Sequence, residues 1–117
     1  MKVETRLAYQ MALNSSNITS VVLTFNEEVN IDRCVSSLKW TDRVVVLDSG
    51  SDDNTVQIAK SCGCEVYHHP WSGFSAQRNW ALDNIDIQTD WVLFLDADEE
   101  MTSQLRDSIR NEIRSNQ

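Results

Sequence analysis

Apolar residues in this chain come in short unbroken runs, separated by stretches where they recur every three or four positions. Residues 91–95 are a run of the first kind, as is 43–47 after its opening Arg43; 18–23 is interrupted only by Thr19 and Ser20, and 64–68 is a mixed stretch containing Glu65 and His68. They are too short for packed helices and bounded by polar residues, so they read as strands buried on both faces. Between them, Ile31, Cys34, Val35 and Leu38 fall at i, i+3, i+4 and i+7, which predicts one apolar helix face. Asp53 or Asn54 caps a second helix carrying Val56, Ile58 and Ala59, and Gly63 is placed to end it. Ser75 opens a third helix running to Leu82. Thr102 caps a fourth, in which Leu105, Ile109 and Ile113 are spaced by four. The order β-α-β-α-β-loop-α-β-α predicts an α/β, doubly wound, mainly parallel sheet in three layers with right-handed crossovers. Residues 1–17 show no period and are expected to be a loose leader, with 18–117 forming one domain.

The strand ends carry the chemistry. Thr24/Asn26/Glu27, Asp48/Ser49/Ser51/Asp52 and Asp96/Asp98 all fall on the same edge of the predicted sheet. Ligands of open α/β sheets bind beyond the carboxyl ends of the strands. After residues 91–95, four carboxylates appear within five residues: Asp96, Asp98, Glu99 and Glu100. In extended backbone Asp96 and Asp98 would point the same way, roughly 6–7 Å apart. Such a pair repels itself unless a cation intervenes. A hard divalent ion, its remaining positions filled by phosphate and water, resolves the conflict. The competing reading is a solvated acidic loop, and the agreement of three strand ends weighs against it. Glu99 and Glu100 are expected as first-turn acids of the following helix.

Composition narrows the ligand. The formal net charge of −8 gives no basic patch for nucleic acid or an anionic membrane, but it leaves room for a phosphate that arrives with a metal ion. No apolar run has the length of a membrane span and no signal-peptide pattern opens the chain. The odd cysteine count (Cys34, Cys62, Cys64) fits structural thiols in a reduced, cytoplasmic setting. Neither G-x-G-x-x-G nor G-x-x-x-x-G-K-[ST] is present, which excludes those phosphate cradles, and no Ser, Cys or His sits in a nucleophile elbow. Asp48 could accept hydrogen bonds from a base or ribose. Gln77-Arg78-Asn79 opens a helix and supplies a fixed cation whose fork of donors fits phosphate. His68 and His69 read as structural. Among the tryptophans, Trp71 stands out because its loop leads into Gln77-Arg78-Asn79.

Four motifs in order then resemble a known family: V-V-L-T-F-N-E-E from Val21, V-L-D-S-G-S-D-D-N-T from Val46, G-F-S-A-Q-R-N from Gly73 and L-D-A-D-E from Leu95. They are similar to family 2 inverting glycosyltransferases of the GT-A fold, a Rossmann-like nucleotide-binding architecture, nearest in flavour to bacterial lipopolysaccharide-core glucosyltransferases. The resemblance implies that Thr24, Asn26 and Glu27, with Ser51, line the nucleoside pocket of a UDP-linked sugar and that Asp48 receives the base. It implies further that Gln77, Arg78 and Asn79 hold the base and diphosphate side, and that Asp96 contacts the ribose. Asp98, with Asp96, would bind Mg²⁺ or Mn²⁺. The acceptor would be a glycan or lipid-linked molecule, with the chain cytoplasmic or peripheral to the inner membrane.

Family members continue past this point into an acceptor-binding half that supplies a general base, so this chain is expected to be the donor-binding part. Residues 92–95 read as an interior strand with nothing after them to pair with, and a free apolar edge predicts self-association. Two other readings compete. One is a non-catalytic nucleotide-sugar-binding module of the same fold. The other is a haloacid-dehalogenase-like phosphatase, which would want Thr or Val at the position of Glu100 and its D-x-D on the first strand.

Overall fold

The central strand β1 (Ile18–Thr24) is buried at every position because both its faces carry apolar layers and both its edges are paired. The computed structural model describes residues 16–116. In it, β1 is followed by α1 (Ile31–Ser36), β2 (Arg43–Asp48), α2 (Thr55–Ser61), β3 (Glu65–His68), α3 (Phe74–Asn84), β4 (Trp91–Asp96) and α4 (Ser103–Ser115). The four strands form one parallel sheet in the order β3-β2-β1-β4. The expected doubly wound α/β architecture is therefore present.

Alternation along the strands assigns the layers. Val22, Val46 and Leu95 point to one face and pack with Ile31, Cys34, Val35, Leu38, Ala59 and Met101, from α1, α2 and the segment leading into α4. Val21, Leu23, Val45 and Leu47 point to the other and pack with Ala81 and Ile85 at α3. The chain steps outward from β1 to β2 to β3 and returns, through α3, to the far side of β1. The order thus reverses between β1 and β4, which is where an open sheet leaves a crevice.

Several local expectations hold. Thr102 caps α4 by accepting a hydrogen bond from the Leu105 N–H at 3.1 Å. Gly63 ends α2 with φ +85°, a conformation that favours a residue without Cβ. All three cysteines are free, and Cys34 and Cys64 are buried.

Others need correction. α3 begins at Phe74 after Gly73 and has no side-chain cap, so Ser75 lies inside its first turn. At α2 the N-cap position is Asn54, whose side chain caps nothing; the Asp53 carboxylate accepts instead from the Thr55 N–H and hydroxyl. α4 starts at Ser103, so Glu99 and Glu100 lie before its first turn; Glu100 instead pairs with Arg33 at 3.5 Å. Finally, β4 stands at the sheet's edge, as its expected free edge requires, but it is less buried than its apolar side chains suggested. Of its residues only Leu95 is fully buried, because α4 and α3 cover it from the sides and nothing pairs along its outer edge among the described residues. The expected leader falls outside the described residues up to position 15. Its last two residues are tied down, Ser16 to the Asp42 carboxylate and Asn17 to Asp90. No helix among the described residues is long and apolar enough to cross a membrane.

The packing predicts a graded response to truncation. Leu47→Ala, at a side chain with no exposed surface, should cost about 3 kcal/mol in urea unfolding. Leu82→Ala, at a residue 51% exposed, should change stability by no more than about 0.5 kcal/mol.

Candidate functional site

The crevice between β1 and β4 is a cleft of about 490 Å³. Its walls are Leu23, Thr24, Phe25 and Glu27 after β1, Ser49 after β2, Trp71, Phe74 and Gln77 around the start of α3, and Asp96, Ala97 and Asp98 after β4. The three polar strand ends singled out in the sequence therefore do converge, but the residues within each divide into two groups. Some face the cleft and others hold its walls.

Asp48 belongs to the second group. Its carboxylate is 2% exposed. One oxygen accepts from the hydroxyls of Thr24 at 2.7 Å and Ser51 at 2.6 Å, the other from the N–H groups of Gly50 at 2.9 Å and Ser51 at 2.8 Å. Burial alone would raise its pKa, but these bonds from Ser51, Thr24 and Gly50 together outweigh it and hold the carboxyl below its ordinary value. No lone pair is left over for a base, so the expected base contact of Asp48 has no free acceptor. The side chain one residue on, Ser49, is the one that lines the cleft.

The same network employs Ser51 and Asn26. The Ser51 hydroxyl accepts from the Asn26 N–H at 2.8 Å, and the Asn26 side-chain oxygen accepts from the Asp52 N–H at 3.0 Å. The Glu27 N–H donates to the Thr55 hydroxyl. The loops after β1 and β2 are thus stitched together side chain to backbone, and Thr24 and Glu27 are left on the cleft wall.

At β4 the acids crowd. Asp96 and Asp98 both line the cleft, with buried Ala97 between them tied by its N–H to the Leu23 carbonyl. The Glu99 carboxylate folds back to accept from the Asp96 N–H at 2.9 Å. Burial, then the charges of Glu99 and Asp98, push the Asp96 carboxyl above its usual value, and Arg78 opposes them. The Cys34 thiol beneath is pushed up to about 12, by burial first and then by Glu99 and Asp98. The rim is therefore a region of negative charge only partly offset by Arg78. Among the described residues no three His, Cys, Asp or Glu side chains are grouped to hold a metal ion by themselves. A cation here would take two carboxylates and keep open positions for oxygens of a ligand, the donor set of a hard ion such as Mg²⁺ or Mn²⁺.

Gln77, Arg78 and Asn79 separate on the helix. Gln77 is 1% exposed and clamps the preceding loop: its Nε2 donates to the His69 carbonyl and its Oε1 meets His69 Nδ1 at 2.8 Å. Arg78 lies over the Phe94 ring at 5.9 Å and is close enough to Asp96 to act on its charge. Asn79 is exposed and does not line the cleft. His69 stacks on Trp80, which makes it structural as expected. The residues given no role in the sequence are Phe25 and Phe74, both on the cleft wall; the sequence marks Ser49 only within its strand-end cluster. For Phe25 a signal existed: a large apolar residue follows a strand end inside an otherwise polar stretch.

The Asp48 network predicts a pH-dependent stability. Because the folded pKa is lowered, this contribution is complete above the unfolded carboxylate value near about 3.9 and is lost as pH falls through the folded value. Asp48→Asn should cost about 2 kcal/mol at pH 7 by urea unfolding, and the deficit should shrink as the pH is lowered towards about 2. A deficit independent of pH would contradict this account.

The chain matches the glycosyl transferase family 2 model over residues 19–113. It is 43% identical over 93 residues to an uncharacterized glycosyltransferase of Rickettsia typhi, a match covering 79% of this chain and 31% of that protein. It is 30% identical over 95 residues to the lipopolysaccharide core biosynthesis glycosyltransferase LpsC of Rhizobium meliloti, covering 77% of this chain and 34% of that one. Among solved structures, glucosyl-3-phosphoglycerate synthase of Mycobacterium tuberculosis in complex with uridine diphosphate is similar at a TM-score of 0.56 and 25% identity, over 85% of this chain and 39% of that chain. The same synthase, crystallised with Mn²⁺, uridine diphosphate and phosphoglyceric acid, gives a TM-score of 0.58 at 24% identity, over 82% and 38%. The chain thus spans about a third of the length of the curated relatives it matches.

Proposed function

This chain belongs to glycosyl transferase family 2, and on that premise we propose that its cleft binds a nucleotide-diphosphate sugar, UDP-linked, for transfer of the hexosyl group with inversion. The observation that carries the reading is the pair Asp96 and Asp98 on the wall of a switch-point cleft, where burial and then the charges of Glu99 and Asp98 push the Asp96 carboxyl upward. Asp98, with Asp96, would hold Mg²⁺ or Mn²⁺. Bound there, the ion would neutralise the diphosphate and stabilise negative charge on the leaving nucleoside diphosphate.

The chain's own residues divide the remaining work. Phe25 offers an exposed ring for a base to stack on, and Ser49, whose hydroxyl donates to the Thr24 carbonyl, leaves an acceptor oxygen on the same cleft wall, a part first expected of Asp48. Thr24 and Glu27 complete that end. Arg78 stands beside Asp96 and supplies a fixed positive charge near the diphosphate. Asn26, Ser51 and Asp48 support the walls from behind, and Gln77 both lines the cleft and clamps His69. The general base that displacement needs is assigned to no residue of this chain.

The acceptor in this proposal is a cell-surface glycan of lipopolysaccharide type, in line with the similarity to LpsC. The chain would then work in the cytoplasm, peripheral to the inner membrane where the acceptor is lipid-linked. The phosphatase alternative is not favoured: the D-x-D here ends the fourth strand, and the family is one of glycosyltransferases.

Uridine diphosphate with Mn²⁺ should raise the melting temperature of this chain, by an amount equivalent to about 2.7 kcal/mol at a hundredfold excess over Kd. Uridine diphosphate without metal should give little, and Asp98→Ala should remove the metal-dependent part. An equal shift with and without Mn²⁺ would refute the role given to Asp98.

The outer edge of β4, which pairs with no strand among the described residues, is also proposed to pair with a second copy. Light scattering should then show the average mass rising with concentration, and a constant monomer mass would exclude it.

A further inference from the structure

We infer that Trp71 and Phe74 form a docking corner for the hexosyl ring of the donor, an inference that rests on the sugar-nucleotide reading above. Trp71 is 50% and Phe74 52% exposed. Their rings meet edge to face, with centroids 4.8 Å apart and planes at 89°. Both line the cleft that holds Asp96 and Asp98. Large apolar side chains kept in water on the wall of a cleft that also carries carboxylates mark a contact surface.

The corner is built from beneath. Gln77 bonds twice to His69, through its Nε2 to the carbonyl at 3.0 Å and through its Oε1 to Nδ1 at 2.8 Å. The His69 ring stacks on Trp80 at 4.9 Å, and Trp80 packs against the apolar layer under α3. Between the two anchor residues the loop turns at Gly73 with φ +114°, where a side chain would be strained. The two aromatic rings are therefore carried by a loop fixed at both ends, which lowers the ordering cost of a ligand contact.

Shape decides between ligand parts. A nucleobase is flat on both faces and is gripped best by parallel planes. Two rings at right angles suit a thicker body with one apolar side. A hexopyranose chair is such a body: its C–H face can lie on one ring and abut the edge of the other, while its hydroxyls turn towards carboxylates and water. With the base end given to Phe25 and Ser49 and the diphosphate to Asp96 and Asp98, the hexosyl group is the part left for the α3 wall.

Calorimetric titration of the whole chain with uridine diphosphate and with UDP-glucose, each with Mn²⁺, tests this. Trp71→Ala and Phe74→Ala should each weaken UDP-glucose binding roughly three- to tenfold and leave uridine diphosphate within about twofold, while Trp71→Phe should recover most of the loss. Equal weakening of both ligands would assign the corner to the base and overturn the inference, and so would no weakening of either. If the unaltered chain binds neither ligand, the sugar-nucleotide reading itself fails, a result distinct from the two before.

Discussion

The arrangement of this cleft depends on one buried carboxylate. Asp48 ends β2 inside the protein, where an ionised group is costly unless its lone pairs are met. They are met by the loop that follows it and by Thr24 of the neighbouring strand. Because its partners come from two strand ends, satisfying the charge also fixes those ends relative to each other. Ser51 passes the constraint on to Asn26, and Thr55 passes it on to Glu27. The β1 and β2 side of the cleft is shaped by this requirement before any ligand arrives.

The β4 side follows the opposite rule. There the Asp96 carboxyl is raised above its ordinary value by burial first and then by the charges of Glu99, Asp98 and Glu27, and Arg78 is the positive charge set against them. One side of the cleft holds a carboxylate whose charge is stabilised internally, the other holds carboxylates whose charge asks for an external partner. That contrast separates an acid that supports structure from acids that line the cleft, the ones proposed to meet a metal-bound ligand, and it is drawn by geometry rather than by residue type.

Much of the fold could be read from the sequence because parallel strands buried on two faces leave unbroken apolar runs, as 43–47 does. The convergence of three strand ends was legible for the same reason: chain order and parallel strands place them on one edge. What could not be read is which residue at a strand end turns inward. Asp48 and Ser49 are neighbours, successive side chains point to opposite sides, and the alternation breaks where the strand stops, so the pattern cannot tell the supporting acid from the residue facing the cleft. Gln77 is a similar case. Its place beside Arg78 suggested a side chain given over to the ligand, but Gln77, though on the cleft wall, is also bonded twice to His69. β4 looked interior because its side chains are apolar, although apolar side chains report on the covering layers and say nothing of the strand's hydrogen-bonded edge.

Asn26 shows how narrow the tolerance of such a loop becomes. Its backbone stands at φ 52°, in the left-handed region, where Asn and Gly are at home and β-branched residues are not. Its N–H and side-chain oxygen are both engaged by the opposite loop. Glycine would keep the backbone and lose the side-chain bond, whereas aspartate would keep an acceptor but add a negative charge beside Asp52. Related chains that keep this loop should therefore vary little at this position, even though its side chain does not line the cleft.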